Sequence, residues 1–239
     1  EHIATLSKGD AAKICSCDIE TVSGFNSSFS VNDRTRTFLK VQDGCDYSCS
    51  FCTIPMARGK SRSDSIQNVV KQAQALALNG VQEIVLTGIN LGDFGKGFDG
   101  GKIREENFFD LMKALDTETT IPRYRISSIE PNLLTDEMIA WVAQSKRFMP
   151  HFHIPLQSGS DAVLKLMQRR YNTQLYKDKI SLIKQWIPDA CIGVDVIVGS
   201  PGETEAYFKE SMEFIHALDI SYLHVFTYSE RAATKALDI

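Results

Sequence analysis

CIGVDVIVGSPGETEAYFKESMEFIHALDISYLHVFTY, residues 191–228, holds one complete strand–helix–strand unit. CIGVDVIVG (191–199) is an almost unbroken apolar run, the form of a strand covered on both faces. Gly199-Ser200-Pro201-Gly202 then supplies a turn, Thr204–Leu218 a helix, and YLHVFTY (222–228) a second strand rich in aromatic and β-branched residues. Two strands joined by a helix are parallel, because only antiparallel strands close through a short hairpin.

The same alternation runs back toward the N-terminus. Helices are expected at Asp161–Met167 and Thr173–Trp186, after a strand HFHIPL (151–156). Thr135–Gln144 reads as a helix with Thr135 as N-cap and Glu137 in its first turn. YRISSI (124–129), EIVLT (83–87) and TFLKVQD (37–43) read as strands, and Phe108–Leu115 as a helix. Ser65–Asn79 places Ile66, Val69, Val70, Ala73, Leu76 and Ala77 at helical spacing, with Asn79-Gly80 as the stop. The polar and glycine-rich stretches sit just after the strands: Asp43-Gly44-Cys45, Thr87-Gly88, Ser127-Ser128, Gln157-Ser158-Gly159 and Gly199–Gly202. That is where barrels of this kind carry their chemistry, so an α/β partial (β/α)6 barrel of the TIM type is preferred to an open doubly wound sheet. Residues 1–33 lack a period, and SGFNSSFSVND (23–33) reads as a linker.

Composition bounds the function. The chain has 239 residues, 43% hydrophobic and 23% charged, which is globular material. No apolar run approaches a membrane span, and no basic-then-apolar leader follows Glu1, so a cytoplasmic protein without a membrane partner is expected. A first residue other than Met suggests a piece of a longer chain. Net charge is −4, so contact with nucleic acid must be local or supplied by another segment. No strand is followed by GxGxxG. GDFGKGFDGGK (92–102) has P-loop glycine spacing from Gly95 to Gly100, but Gly101 stands where the lysine belongs, so it reads as a mobile loop.

Six cysteines are too few for a disulfide scaffold. Cys45, Cys49 and Cys52 form CxxxCxxC in the loop after the first strand, spacing that lets thiolates grip one soft metal centre. Three thiolates complete neither a four-cysteine zinc site nor a four-iron cluster, so a fourth ligand comes from elsewhere or one position stays open. Zinc closed by Cys15, Cys17, His151 or His153 is the alternative, although three-then-two spacing is rare in zinc ribbons. His151 and His153 share one strand face and read as hydrogen-bonded barrel interior, with metal ligation as the second reading. Cys191 reads as buried packing. Arg58, Lys60 and Arg62 read either as an RNA-phosphate contact or as a solvated loop.

CxxxCxxC with Phe51 before its last cysteine, opening such a barrel, resembles the radical S-adenosylmethionine (SAM) superfamily. FLKVQDGCDYSCSFCTIPMARGKSRS (38–63) is similar to the methylthiotransferases within it. LTGINLGDFG (86–95), RISSIEPN (125–132), HIPLQSGSDAVLKLM (153–167), DVIVGSPGETE (195–205) and HVFTYSERAATKA (224–236) extend the likeness over residues 34–239. RISSIEP and HVFTYSER resemble the enzymes that act on threonylcarbamoyladenosine beside the tRNA anticodon. The alternatives are methylthiotransferases for isopentenyl-adenosine or a ribosomal protein, or a zinc-stabilised RNA-binding scaffold.

The resemblance implies a [4Fe–4S] cluster on Cys45, Cys49 and Cys52, with SAM chelating the open iron and yielding a 5′-deoxyadenosyl radical on one-electron reduction. It implies adenine at Phe51, a SAM-ammonium contact at Thr87 and Gly88, and further SAM contacts at Ser127, Ser128, Gln157 and Ser158. Glu130 is implied for the SAM ammonium or ribose, and Arg169 for the SAM carboxylate, which a guanidinium fork matches. Arg170 is expected to face solvent or RNA. Asp195 is a ribose candidate, Gly199 would pack adenine, and Phe226 and Tyr228 would flank it. The resemblance also implies tRNA as partner, an electron donor such as flavodoxin or ferredoxin, and a second [4Fe–4S] cluster on an N-terminal domain absent here. Residues 1–33 are then the tail from that domain, with Cys15 and Cys17 in it. Residues 34–239 are the radical SAM domain, without the C-terminal RNA-binding domain of the family.

Overall fold

The computed structural model describes residues 18–22, 24–30, 36–96 and 106–239. Its strands are β1 Ser28–Phe29, β2 Thr37–Lys40, β3 Gln42–Asp43, β4 Arg62–Ser63, β5 Glu83–Thr87, β6 Arg123–Ile126, β7 His151–His153, β8 Cys191–Val198 and β9 Tyr222–Thr227. Its helices are α1 Ile54–Arg58, α2 Ile66–Leu78, α3 Phe108–Glu118, α4 Asp136–Val142, α5 Asp161–Leu166, α6 Thr173–Trp186 and α7 Glu205–His216.

Strands β2, β5 and β6 are parallel neighbours, and so are β7, β8 and β9. Single parallel bridges, Tyr124 to Phe148 and Ser128 to His153, join the two groups between β6 and β7. Ile129 N–H donates to His153 O at 3.1 Å across the same seam. The six strands thus lie side by side in chain order, the partial barrel that the alternation predicts. EIVLT and Thr173–Trp186 fall at the expected bounds.

Caps and stripes set the helices. Ser65, Asn107, Thr135, Asn172 and Thr204 each accept a backbone N–H with the side chain at a helix start. α2 buries Val69, Val70, Ala73 and Leu76, and α3 buries Phe108, Leu111, Met112 and Leu115. These meet Ile84 and Leu86 of β5 in one core, where each large side chain stabilises by about 1.5–3 kcal/mol. The far edge is barer. Val225 on β9 is 57% exposed, and Ser211 is the one buried residue of α7.

Several expectations are corrected. The 23–33 stretch is not wholly a linker, because Ser28 and Phe29 pair antiparallel with Lys40 and Leu39. An edge strand needs only backbone groups, and Ser30 Oγ adds a bond from Phe38 N–H at 3.0 Å, so polar composition does not prevent pairing. TFLKVQD breaks into β2 and β3, and β3 turns away to pair antiparallel with β4. HFHIPL ends as a strand at His153, where Pro155 follows, though Ile154 N–H still bonds Gly193 O at 2.9 Å. In 92–102, Leu91–Asp93 form a buried 3-10 turn and Phe94 is core, so that part is packed; positions 97–102 lie outside the described residues, as do Cys15, Cys17 and Arg34. Arg62 is neither solvated nor free for phosphate: it is buried against Asp43, Nη2 to Oδ2 3.2 Å. Cys191 is half-buried rather than core, because β8 turns Ile192, Val194 and Val196 to the helices and its odd positions to the barrel interior.

Candidate functional site

The loop from Gly44 to Thr53 carries the three cysteines, and it is anchored to distant parts of the chain. Gly44 has φ +71°, and a Cβ there would lie 2.0 Å from Lys60 O, so only glycine lets the two backbones meet. Cys45 N–H donates to Gly59 O at 3.0 Å, Ser50 N–H to Met167 O at 3.1 Å, and Ala236 N–H to Ser50 O at 2.9 Å. Gln42, fully buried, is a rivet that the sequence reading missed. Its Nε2 donates to Asp43 O, Gly44 O and Ser61 Oγ, while its Oε1 accepts from Ile89 and Asn90 N–H at 2.8 and 2.9 Å. The cysteine loop is thereby tied to the loop after β5.

Each sulfur receives one N–H. Tyr47 N–H donates to Cys45 Sγ at 3.4 Å, Ile54 N–H to Cys52 Sγ at 3.4 Å, and Arg169 Nη1 to Cys49 Sγ at 3.2 Å. The three cysteines line one cavity of about 880 Å³, with Tyr47, Pro55 and Met56 among its walls. Burial pushes the Cys45 thiol up to about 11, helped by Cys49, Asp93 and Cys52 and opposed by the Tyr47 N–H. Cys52 is raised too, by burial first. Without a cation these thiols stay protonated at neutral pH; a bound metal would take the protons' place.

Arg169 is buried beside Cys49. Its Nη2 donates to Glu130 Oε2 and its Nε to Tyr171 Oη at 3.0 Å. Burial opposes the charge, but Tyr171, Glu130 and Cys49 outweigh it and the guanidinium pKa is raised. Arg170 is exposed and stacks on Tyr47, 3.9 Å from the ring centre. A second cavity, about 280 Å³, lies on the other side of Cys52. Phe51, Gln157, Asp195, Phe226, Tyr228 and Arg231 line it. Gln157 takes φ +70°, and its carbonyl accepts Ile197 N–H at 2.9 Å, which pins the turn to β8. Tyr228 Oη is buried without a hydrogen-bond partner among the described residues.

The structure thus gathers Cys45, Cys49, Cys52, Phe51, Glu130, Gln157, Arg169, Asp195, Phe226 and Tyr228 about one loop. Others stand apart. Ser127 and Ser128 line a third cavity, deeper in the barrel, with Arg125, His151, His153 and Tyr222. Thr87 ends β5 beside Lys40, and its carbonyl accepts Val41 N–H at 2.9 Å. Gly88 packs on Gln42, whose Oε1 would lie 2.8 Å from a Cβ. Ser158 is fully buried, and Gly199 sits exposed in the turn after β8 with φ +76°, lining none of these three cavities.

The model of the radical SAM superfamily matches residues 39–215. The chain belongs to the radical SAM superfamily. Membership implies an iron–sulfur cluster and SAM, and the residues fit both. Three half-buried thiols with one N–H each suit a sulfur-held centre, and the cavity beside it is lined by Phe51, Phe226 and Tyr228, aromatic side chains that suit a nucleobase face. Among relatives in the superfamily, the threonylcarbamoyladenosine tRNA methylthiotransferase MtaB of Bacillus subtilis (strain 168) is 46% identical over 205 residues, 85% of this chain and 44% of that protein. A tRNA-2-methylthio-N(6)-dimethylallyladenosine synthase of Staphylococcus haemolyticus (strain JCSC1435) is 35% identical over 202 residues, 84% of this chain and 38% of that protein. The chain therefore spans less than half the length of these two curated relatives. Among solved structures, the radical SAM methyltransferase TsrM from Kitasatospora setae shares the fold, with TM-score 0.68 at 15% identity over 83% of this chain and 38% of that one. Among the described residues no helix is long and apolar enough to cross a membrane.

Proposed function

We propose that this chain is the SAM- and cluster-binding part of a tRNA methylthiotransferase that replaces the C2 hydrogen of N6-threonylcarbamoyladenosine, next to the anticodon, with a methylthio group. The observation that carries the cofactor half is the Arg169–Glu130 ion pair set against Cys49. A guanidinium and a carboxylate side by side complement the carboxylate and ammonium of an α-amino acid. On this reading Arg169 would receive the carboxylate and Glu130 the ammonium of the methionine end of SAM, next to Cys49. Cys45, Cys49 and Cys52 would hold a [4Fe–4S] cluster, which supplies one electron to cleave SAM and so begin radical chemistry. Phe51, Gln157, Asp195, Phe226 and Tyr228 would take the adenosine end. The higher identity to the relative named for threonylcarbamoyladenosine supports the choice of base. The second cluster and tRNA contacts are assigned to the portion of those relatives that lies outside this chain. A cytoplasmic location and a flavodoxin- or ferredoxin-type electron donor complete the reading.

Anaerobic reconstitution with iron and sulfide tests it. About four irons per chain are expected. Cys45→Ala, Cys49→Ala or Cys52→Ala should abolish loading, and Cys191→Ala should not. With SAM and a reductant, the loaded chain should form 5′-deoxyadenosine. Stoichiometric zinc on sulfur that iron does not displace would overturn the proposal.

A further inference from the structure

Three adjacent strands contribute one donor group each: His153 from β7, Asp195 from β8 and His224 from β9. Register explains the meeting. His153 pairs with Gly193, and Asp195 with His224, so all three side chains share the interior face. His153 Nε2 lies 2.8 Å from Asp195 Oδ2, and His224 Nδ1 3.1 Å from Asp195 Oδ1. One donor atom from each residue falls within 4.8 Å of the other two. We propose that His153, Asp195 and His224 form a binding site for a first-row divalent transition-metal ion such as zinc, separate from the cysteine centre.

The separations suit an ion. Metal–ligand bonds of about 2.1 Å set ligand-to-ligand edges of about 3.0–3.4 Å, from octahedral to tetrahedral geometry. Asp195 reaches the two rings through different oxygens, and one donor atom from each of the three residues lies within 4.8 Å of the others, so side-chain rotations that draw those atoms together close the site around one ion. Two imidazoles and one carboxylate select zinc and its first-row neighbours over calcium and magnesium, which take oxygen ligands. Outer contacts prepare the His153 ring. Its Nδ1 lies 3.3 Å from Tyr222 Oη, which lies 3.1 Å from His151 Nε2. A ring whose Nδ1–H donates to that hydroxyl leaves its Nε2 lone pair for the ion. Tyr222 has room there because residue 193 is glycine; a Cβ would stand 2.0 Å from the ring. Three protein ligands leave coordination positions open, and Asp195 also lines the cavity that holds Phe51 and Cys52. Binding exchanges the two imidazole–carboxylate hydrogen bonds for metal bonds.

The test keeps the thiols occupied. The chain, loaded with its iron–sulfur cluster under anaerobic conditions, is titrated with zinc sulfate and desalted. Metal content and zinc K-edge X-ray absorption are then measured. One zinc per chain with a nitrogen and oxygen first shell is expected. His224→Ala, at a side chain 54% exposed and therefore safe for folding, should weaken zinc binding at least about tenfold, as should Asp195→Asn, with iron content unchanged. A Cys45→Ser/Cys49→Ser/Cys52→Ser chain titrated in the same way should still bind one zinc, so a failure of the cluster reading does not decide this one. No retained zinc in either protein, sulfur in the zinc shell of the loaded chain, or affinity within twofold of wild type in His224→Ala would overturn the proposal.

Discussion

Replacing Arg169 by alanine tests the ion pair at the centre of the site. The guanidinium side chain is 5% exposed and that of Glu130 15%. Removing one partner of a buried pair costs about 3–5 kcal/mol, because the other charge is left uncompensated. Glu130 retains some access to water, which places the loss at the lower end, about 3 kcal/mol. Tyr171 adds little, since its hydroxyl still has the carbonyls of Pro155 and Leu156 as acceptors at 3.0 and 2.9 Å. For a chain of this size about 3 kcal/mol lowers Tm by roughly 6–12 °C. Scanning calorimetry of the metal-free protein measures it. Adding Glu130→Gln should recover part of the loss, about 1.5 kcal/mol, because the orphaned charge is then gone. Raising salt should leave the difference nearly unchanged, as buried pairs are weakly screened. A fall in Tm under 3 °C (on the order of 1 kcal/mol), or a double variant as unstable as the two single losses summed, would show that the pair is not coupled as described.

Three further outcomes are expected. Gln42→Ala should destabilise by on the order of 3 kcal/mol in urea unfolding, since the amides of Ile89 and Asn90 lose their acceptor at a fully buried side chain. Gly44→Ala should cut iron loading more than it cuts helix content by circular dichroism, because the added Cβ collides with Lys60 O at the root of the cysteine loop. His151 is lowered from 6.5 to about 4 by burial, Arg125 and His153, so the unfolded chain takes up its proton first; stability should fall as pH drops through that window and stay flat above it. Unfolding free energies of wild type and His151→Gln from pH 7.5 to 4 check this, and equal slopes would refute it.

The barrel was legible because its signals are local. EIVLT needs only its own five residues to read as a covered strand, and the caps Ser65, Thr135 and Thr204 stand beside the stripes they start. The cysteine spacing is equally local. What escaped depends on contacts between distant positions. Arg62 sits among basic residues in the sequence, yet it is buried by pairing with Asp43, 19 residues away. Gln42 looks like any polar residue at the end of a strand, and only the fold shows it bridging to Asn90, 48 residues on. His151 and His153 mark a shared face by alternation, but the register of β7, β8 and β9 decides that Asp195 and His224 join His153 there. Helix α1 is five residues long with Pro55 in its first turn, too short to display a period.

The anchoring of the cysteine loop bears on transplantation. Its shape is stored in Lys60, Met167, Ala236, Arg169 and Gln42, none of which lies between the first and last cysteine. A peptide copied from residues 38–63 would carry the ligands and forfeit three of those five fixings. Moving this centre into another scaffold means grafting acceptors and donors scattered along the sequence, and the short motif is the smaller share of the work.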